Sequence, residues 1–179
     1  MDEVASLIKA GKVRALGASN FAPDRLQAAL DVSAKHGLPR YETLQPLYNL
    51  SDRAGFEGPL QDLCAREGIS VIPYYGLASG FLTGKYRSEA DFTKSIRGMR
   101  MGNYLNDRGK RILEAMDNVA GATGATLAQI ALAWLMTRKT IAAPIASATS
   151  LEQFEESLGA LKLSLSPAHL AALDTASAA

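Results

Sequence analysis

The sequence predicts an α/β protein with a parallel sheet, and three observations predict it. Short runs of β-branched and aromatic residues alternate with segments of helical period along the chain, the rhythm of right-handed βαβ units. Glycine stands where each early helix should stop, at Gly11, Gly37 and Gly68. Polar residues gather at the carboxyl ends of the predicted strands, where parallel sheets keep their working groups. At 179 residues the chain can bury a sizeable core, and residues 1–179 are expected to form one domain.

Residues 1–10 open the chain as a short helix, followed by a first strand at 13–18 (VRALGA) that ends at Ser19-Asn20. Pro23 suits the first position of a helix reaching His36, with Leu26, Ala29, Leu30 and Ser33 at helical spacing. The second strand is 41–48 (YETLQPLY), with the polar Gln45 in its middle. A polar loop over 49–58 leads to Pro59 and a helix through Glu67. Residues 69–75 (ISVIPYY) read as a buried third strand. After it come Gly76-Leu77-Ala78-Ser79-Gly80 and then Thr83-Gly84-Lys85. Small residues let a ligand approach the backbone, and loop N–H groups followed by a lysine suit a diphosphate. Taken alone, the stretch reads equally well as a strand running into a flexible loop.

Residues 86–107 extend this into a long irregular excursion carrying Lys94, Arg97 and Arg100, of a length that is uncommon inside a compact domain. A helix follows over 108–120, with Ile112, Met116 and Val119 on one side. The clearest helix is 126–138, where Leu127, Ile130, Ala131, Trp134 and Leu135 form an apolar stripe that puts Trp134 in the core. Residues 141–146 are the fourth predicted strand. Ser150 and Gln153 have the spacing of a capping box for a helix running to about Leu161. Ser166-Pro167 begins a last helix, whose Ala/Ser-rich tail is expected to fray.

A net charge of +1 and 47% hydrophobic residues give no global pull toward nucleic acid or membrane. The N-terminus is amphipathic and lacks the pattern of a signal peptide. The single cysteine, Cys64, excludes an internal disulfide framework and fits a reducing, cytoplasmic setting. Following Leu60 and Leu63 on a predicted helix, it reads as a buried structural thiol. The histidines, His36 and His169, fall on predicted helices as surface or capping residues. There is no GxGxxG after a strand, so a Rossmann fingerprint plays no part in the reading.

Four segments together carry a family resemblance: GKVRALGASNF (11–21), LQPLYNL (44–50), VIPYYGLASGFLTGKY (71–86) and PIASATSLEQFEES (144–157). In order and spacing they resemble the aldo-keto reductases, NADP(H)-dependent carbonyl oxidoreductases on a (β/α)8 TIM barrel. The YNL…R and LASGFLTGKY forms are similar to the branch that includes potassium-channel β subunits and many bacterial oxidoreductases. The resemblance spans essentially the whole chain and corresponds to the C-terminal half of the barrel.

The resemblance implies a cofactor-binding role for each matched position. Ser19, Asn20 and Gln45 would hydrogen-bond the nicotinamide carboxamide, and Tyr74 would stack on its ring. Apart from the resemblance, these residues also read as a helix-capping pair, a satisfied barrel-interior glutamine and a core tyrosine. The backbone of Tyr75, Gly76, Leu77, Ala78 and Ser79, with Lys85, would bind the diphosphate, and Arg97 would reach the adenosine phosphate. Ser147, Thr149 and Gln153 would line the 2′-phosphate pocket, with Glu156 and Ser157 at the adenine. Gln153 stands where many relatives have an arginine, and Ser157 replaces the usual asparagine. The neutral amide lacks a charge-assisted pair to the phosphate, so NADP(H) is implied with NAD(H) as an alternative.

A complete (β/α)8 barrel takes about 250 residues and eight strands, and four are predicted here. In the family the preceding strands supply the catalytic aspartate, tyrosine, lysine and histidine. No matching motif occurs in this chain, and neither Tyr48 nor Tyr104 stands in such a context, so no catalytic residue and no metal ligand is assigned. Four strands leave open edges. The implied partners are therefore the nicotinamide dinucleotide, a second copy or a complementary N-terminal half, and a small carbonyl substrate once the barrel is completed. The chain reads as a truncated piece of a reductase or as a natural short protein. The alternative function is a noncatalytic nucleotide-binding or assembly module.

Overall fold

A computed structural model describes residues 2–178, apart from the side chains of Asp2, Arg97 and Arg100. Helix α1 (Asp2–Lys9) leads to β1 (Leu16–Ser19), α2 (Pro23–His36), β2 (Tyr41–Gln45), α3 (Pro59–Glu67) and β3 (Ser70–Val71). Three 3-10 helices follow, at Ala78–Thr83, Glu89–Lys94 and Ile96–Asn103. Then come α4 (Asp107–Thr123), α5 (Leu127–Met136), α6 (Leu151–Gly159) and α7 (Pro167–Ser177).

The local signals place the early helices as expected. α2 and α3 both begin at proline and end at a left-handed glycine, Gly37 (φ 61°) and Gly68 (φ 66°). Their parallel strands lie in the order β1-β2-β3. The register aligns Ala18, Leu44 and Val71 in one row, all buried. In the rows on either side, Gly17 and Ser70 are exposed, Thr43 is half-buried, and the neighbouring pair Ser19 and Gln45 is exposed. Gly17 has a specific reason to be glycine, because a Cβ there would lie 2.5 Å from the Thr43 hydroxyl.

The sheet has three strands where the sequence predicts four. At 141–146 only Ile141 bridges β3, at Val71. The chain nevertheless continues beside β3, with Ala142 N–H on the Val71 carbonyl (2.9 Å) and Ile145 N–H on that of Pro73 (2.9 Å). Proline explains the interruption. Pro46, Pro73 and Pro144 fall next to one another at the carboxyl ends and lack the N–H a ladder requires. The same prolines shorten β2 and β3 relative to 41–48 and 69–75. β1 begins at Leu16 instead of 13 because Lys12 and Val13 donate back to Leu7 at the end of α1.

The excursion expected to be irregular is folded. Tyr86 and Met101 are fully buried, Phe81 stacks on Tyr104 at 5.6 Å, and Arg87 forks onto Asp117 of α4 (2.7 and 2.8 Å). The tail is ordered too. α7 runs to Ser177, which is buried. Ser150 caps α6, but Gln153 Oε1 accepts from Thr149 N–H, one residue before the cap, so the predicted reciprocal box does not close. Reciprocal boxes occur instead at Ser88–Asp91, Thr126–Gln129 and Ser166–His169, and in the last of these His169 is the expected capping residue. α5 is buried nearly all round, beyond the one stripe read from sequence. Trp134 and Cys64 are core residues as expected. Among the described residues no single helix is long and apolar enough to cross a membrane, although α4 and α5 pass that test together with a 96° bend.

Candidate cofactor site

Parallel pairing puts the ends of β1, β2, β3 and the 141–146 extension along one rim. At the β1 end the Ser19 hydroxyl donates to the Gln45 carbonyl (3.0 Å), and Asn20 N–H approaches the same oxygen at 3.4 Å. Asn20 sits in the left-handed region (φ 57°), which asparagine tolerates better than most residues. This turn aims its amide across the rim, where Tyr74 donates to Asn20 Oδ1 (2.9 Å). Ser19, Asn20, Gln45 and Tyr74 are thus brought together. The first three are exposed, and the Gln45 side-chain amide has no hydrogen-bond partner among the described residues.

Beyond Tyr74 the backbone turns through a run of positive φ angles: Tyr75 at 56°, Ala78 at 48°, Ser79 at 57° and Gly80 at 99°. Left-handed turns direct N–H groups into a concavity that suits an anion. Gly76 is buried against α5, where a Cβ would meet Leu135 Cδ1 at 3.1 Å. Lys85 folds back over this turn, its Nζ 3.4 Å from where a Gly80 Cβ would stand. The ammonium lies 5.1 Å from the Tyr86 ring centroid and pairs with no carboxylate among the described residues.

The third part of the predicted site follows the 141–146 extension, which approaches the turn through the Gly76–Ile145 contact. Ser147 and Thr149 are exposed. Thr149 Oγ1 donates to Gln153 Oε1 (3.1 Å), and Ser157 Oγ donates to the Gln153 carbonyl (2.8 Å). The Glu156 carbonyl accepts from Gln129 (3.1 Å), which ties α6 to α5. The side chain of Arg97 lies outside the described residues.

The model of the aldo/keto reductase family matches residues 1–178. The chain belongs to that family. Protein tas of Escherichia coli K12 is 31% identical over 97% of this chain and 51% of its own length. L-glyceraldehyde 3-phosphate reductase of the same strain is 30% identical over 97% of this chain and 53% of its own. A chloroplastic pyridoxal reductase of Arabidopsis thaliana is 29% identical over 89% of this chain and 42% of its own. The chain therefore spans about half the length of the curated relatives it matches.

Behind the rim, this aldo/keto reductase chain carries a polar network that sequence reasoning missed. Arg53 Nε–H is shared between the two Glu57 carboxylate oxygens (2.9 and 3.0 Å), and Nη1 donates to Ser177 Oγ (2.6 Å). Arg53 and Arg138 lie 5.4 and 4.5 Å from the Trp134 ring centroid, and the indole N–H donates to Asp174 (2.8 Å). Tyr48 is fully buried and donates to Glu57 (2.7 Å). Burial, then the Glu57 carboxylate, pushes its pKa far above the ordinary tyrosine range, so it holds its proton at neutral pH. A cleft of about 990 Å³ opens beside the rim between Asn20, Phe21, Leu47, Asp52, Arg53 and Arg108. The Asn49–Asp52 spacing was the one local hint of this loop's order, because asparagine and aspartate hold short turns through their own side chains.

Proposed function

We propose that this chain is the NADP(H)-binding portion of an aldo-keto reductase that reduces an aldehyde or ketone. One observation carries the reading. Amide-compatible side chains at Ser19, Asn20 and Gln45, with the Tyr74 ring, share a rim with a left-handed turn overlaid by the Lys85 ammonium. The donor set fits the cofactor by its chemistry: a carboxamide needs donors and acceptors together, and a diphosphate needs N–H groups and a cation. Ser19, Asn20 and Gln45 would orient the carboxamide, Tyr74 would cover the ring, and the 75–79 backbone with Lys85 would hold the diphosphate. Ser147, Thr149 and Gln153 would face the 2′-phosphate, with Glu156 and Ser157 near the adenine. When bound, the nicotinamide supplies the hydride.

The proton-donating machinery would come from strands outside this chain, on a complementary N-terminal half; a second copy could close the open sheet but would bring no such residue. Two features support completion. The sheet leaves Gly17, Ser70, Ser19 and Gln45 exposed, and α6 exposes Leu151, Phe154 and Leu158 on one stripe. A noncatalytic nucleotide-binding or assembly module is the second reading, favoured by the exposed apolar stripe of α6, which suits contact with another protein. An NADPH titration followed by cofactor fluorescence tests the first proposal. Saturable binding near micromolar supports assembly of the rim within the chain, and no binding up to millimolar overturns it. Light scattering tests self-completion, which a monomer at all concentrations rules out. Carbonyl-dependent NADPH oxidation by the completed protein separates the enzyme from the noncatalytic module.

A further inference from the structure

We propose that Asn49 is a positioning residue that clamps the turn at residues 75–80 in its anion-binding shape. The inference rests on the nucleotide reading of that turn. Asn49 is fully buried, yet its amide uses both ends. Nδ2 donates to the Tyr75 carbonyl (3.0 Å) and to Asp52 Oδ2 (2.8 Å). Oδ1 accepts from the N–H groups of Ser51 (2.7 Å) and Asp52 (2.9 Å). An apolar side chain of similar size could fill the space; only the amide supplies a donor to Tyr75.

Tyr75 needs an external hold. Its φ of 56° lies in the region that an aromatic residue enters at a cost, and such conformations persist only when the surroundings determine them. Its carbonyl accepts from Asn49 outside the turn and from Ala78 N–H within it (2.7 Å). Gly76 is pressed against Leu135 on the opposite side, so the turn is gripped between the 49–58 loop and α5. The loop itself is braced, because Tyr104 donates to Asp52 (2.9 Å) and Arg108 to the Ser51 carbonyl (2.8 Å). Asn49 reaches no ligand; it acts through the backbone that would.

The test compares Asn49→Ala with the unmodified full chain by amide hydrogen exchange without nucleotide and by NADPH titration. Exchange at Ala78 and Gly80 should accelerate about tenfold or more, the effect of one buried hydrogen bond left unmade, while the amides of α2 and α5 keep their rates. The NADPH Kd should rise by a similar factor. Because Asn49→Ala could weaken the whole fold, Tyr75→Asn is added to it: asparagine accepts the left-handed conformation, so protection and affinity should recover. Unchanged exchange at Ala78 and Gly80 overturns the inference, as does faster exchange there with an unaltered Kd. Acceleration spread equally through α2 and α5, with no recovery in the double variant, also overturns it. If the unmodified chain binds no NADPH, the nucleotide reading falls, and the exchange pattern alone decides the clamp.

Discussion

Around Trp134, two guanidiniums lie over the indole ring, its N–H finds Asp174, and Ser177 closes the network from the last turn of α7. Along the rim, the Gln45 amide has no partner and Lys85 no carboxylate among the described residues, and Ser19, Asn20, Ser147 and Thr149 stand exposed. The first region spends its hydrogen bonds on itself; the second holds donors in place through few internal contacts. A buried polar group is costly unless satisfied, whereas an exposed one waits at little cost because water satisfies it. The contrast separates the residues that make the fold from those left exposed at the rim, and it can be tested from both sides.

Trp134→Ala should have the largest effect, because it empties the core and removes one of the donors to Asp174. A loss of about 3–5 kcal/mol is expected from denaturant unfolding, and a loss below about 1 kcal/mol would break the comparison. Lys85→Ala should do the reverse. It leaves stability within about 0.5 kcal/mol and raises the NADPH Kd by about 10- to 100-fold, the effect of a lost charge-assisted contact.

Alkaline pH should weaken the interior. Burial pushes the Cys64 thiol up to about 11 from an ordinary value of 9.0, and Tyr48 is raised from 10.0. Both groups are held neutral in the fold, so their stabilising contribution is complete below the unfolded pKa and is lost as pH rises past it. Stability should fall from pH 9 upward for Cys64 and further above pH 10 for Tyr48. Urea unfolding of Cys64→Ala should lose the lower part of that slope, and an unchanged profile would assign the decline elsewhere. The smallest effect belongs to Gln153→Arg. It should improve NADPH over NADH by about fivefold, since an exposed charge pair contributes at most about 1 kcal/mol, and equal binding of the two cofactors would remove position 153 from the phosphate site.

Much of the architecture was legible because its signals are local. Pro23 and Pro59 fix a helical φ without wasting an N–H, and Gly37 and Gly68 take the left-handed stop. The periodicity of α5 and the burial of Cys64 and Trp134 likewise follow from apolar residues on short segments. Motif and strand ends pointed to Ser19, Asn20, Gln45 and Tyr74 together, and the structure brings these four within one hydrogen-bonded group.

Other features depend on partners far away in sequence, and only the tertiary structure decided them. The 141–146 extension lost strand status to prolines lined up across three segments. The 86–107 excursion gained its order from Asp117 and the Phe81–Tyr104 stack. The Ala/Ser-rich tail is held because Arg53 and Arg108 reach it across the fold. Asn49 reads as a turn residue until folding sets its amide against Tyr75. The amino-acid sequence alone determined where α2, α3 and α5 lie and where α2 and α3 stop, because backbone geometry and side-chain period act over a few residues. Which polar groups are satisfied internally, and which remain exposed at the rim, was decided by contacts that form only when distant segments meet.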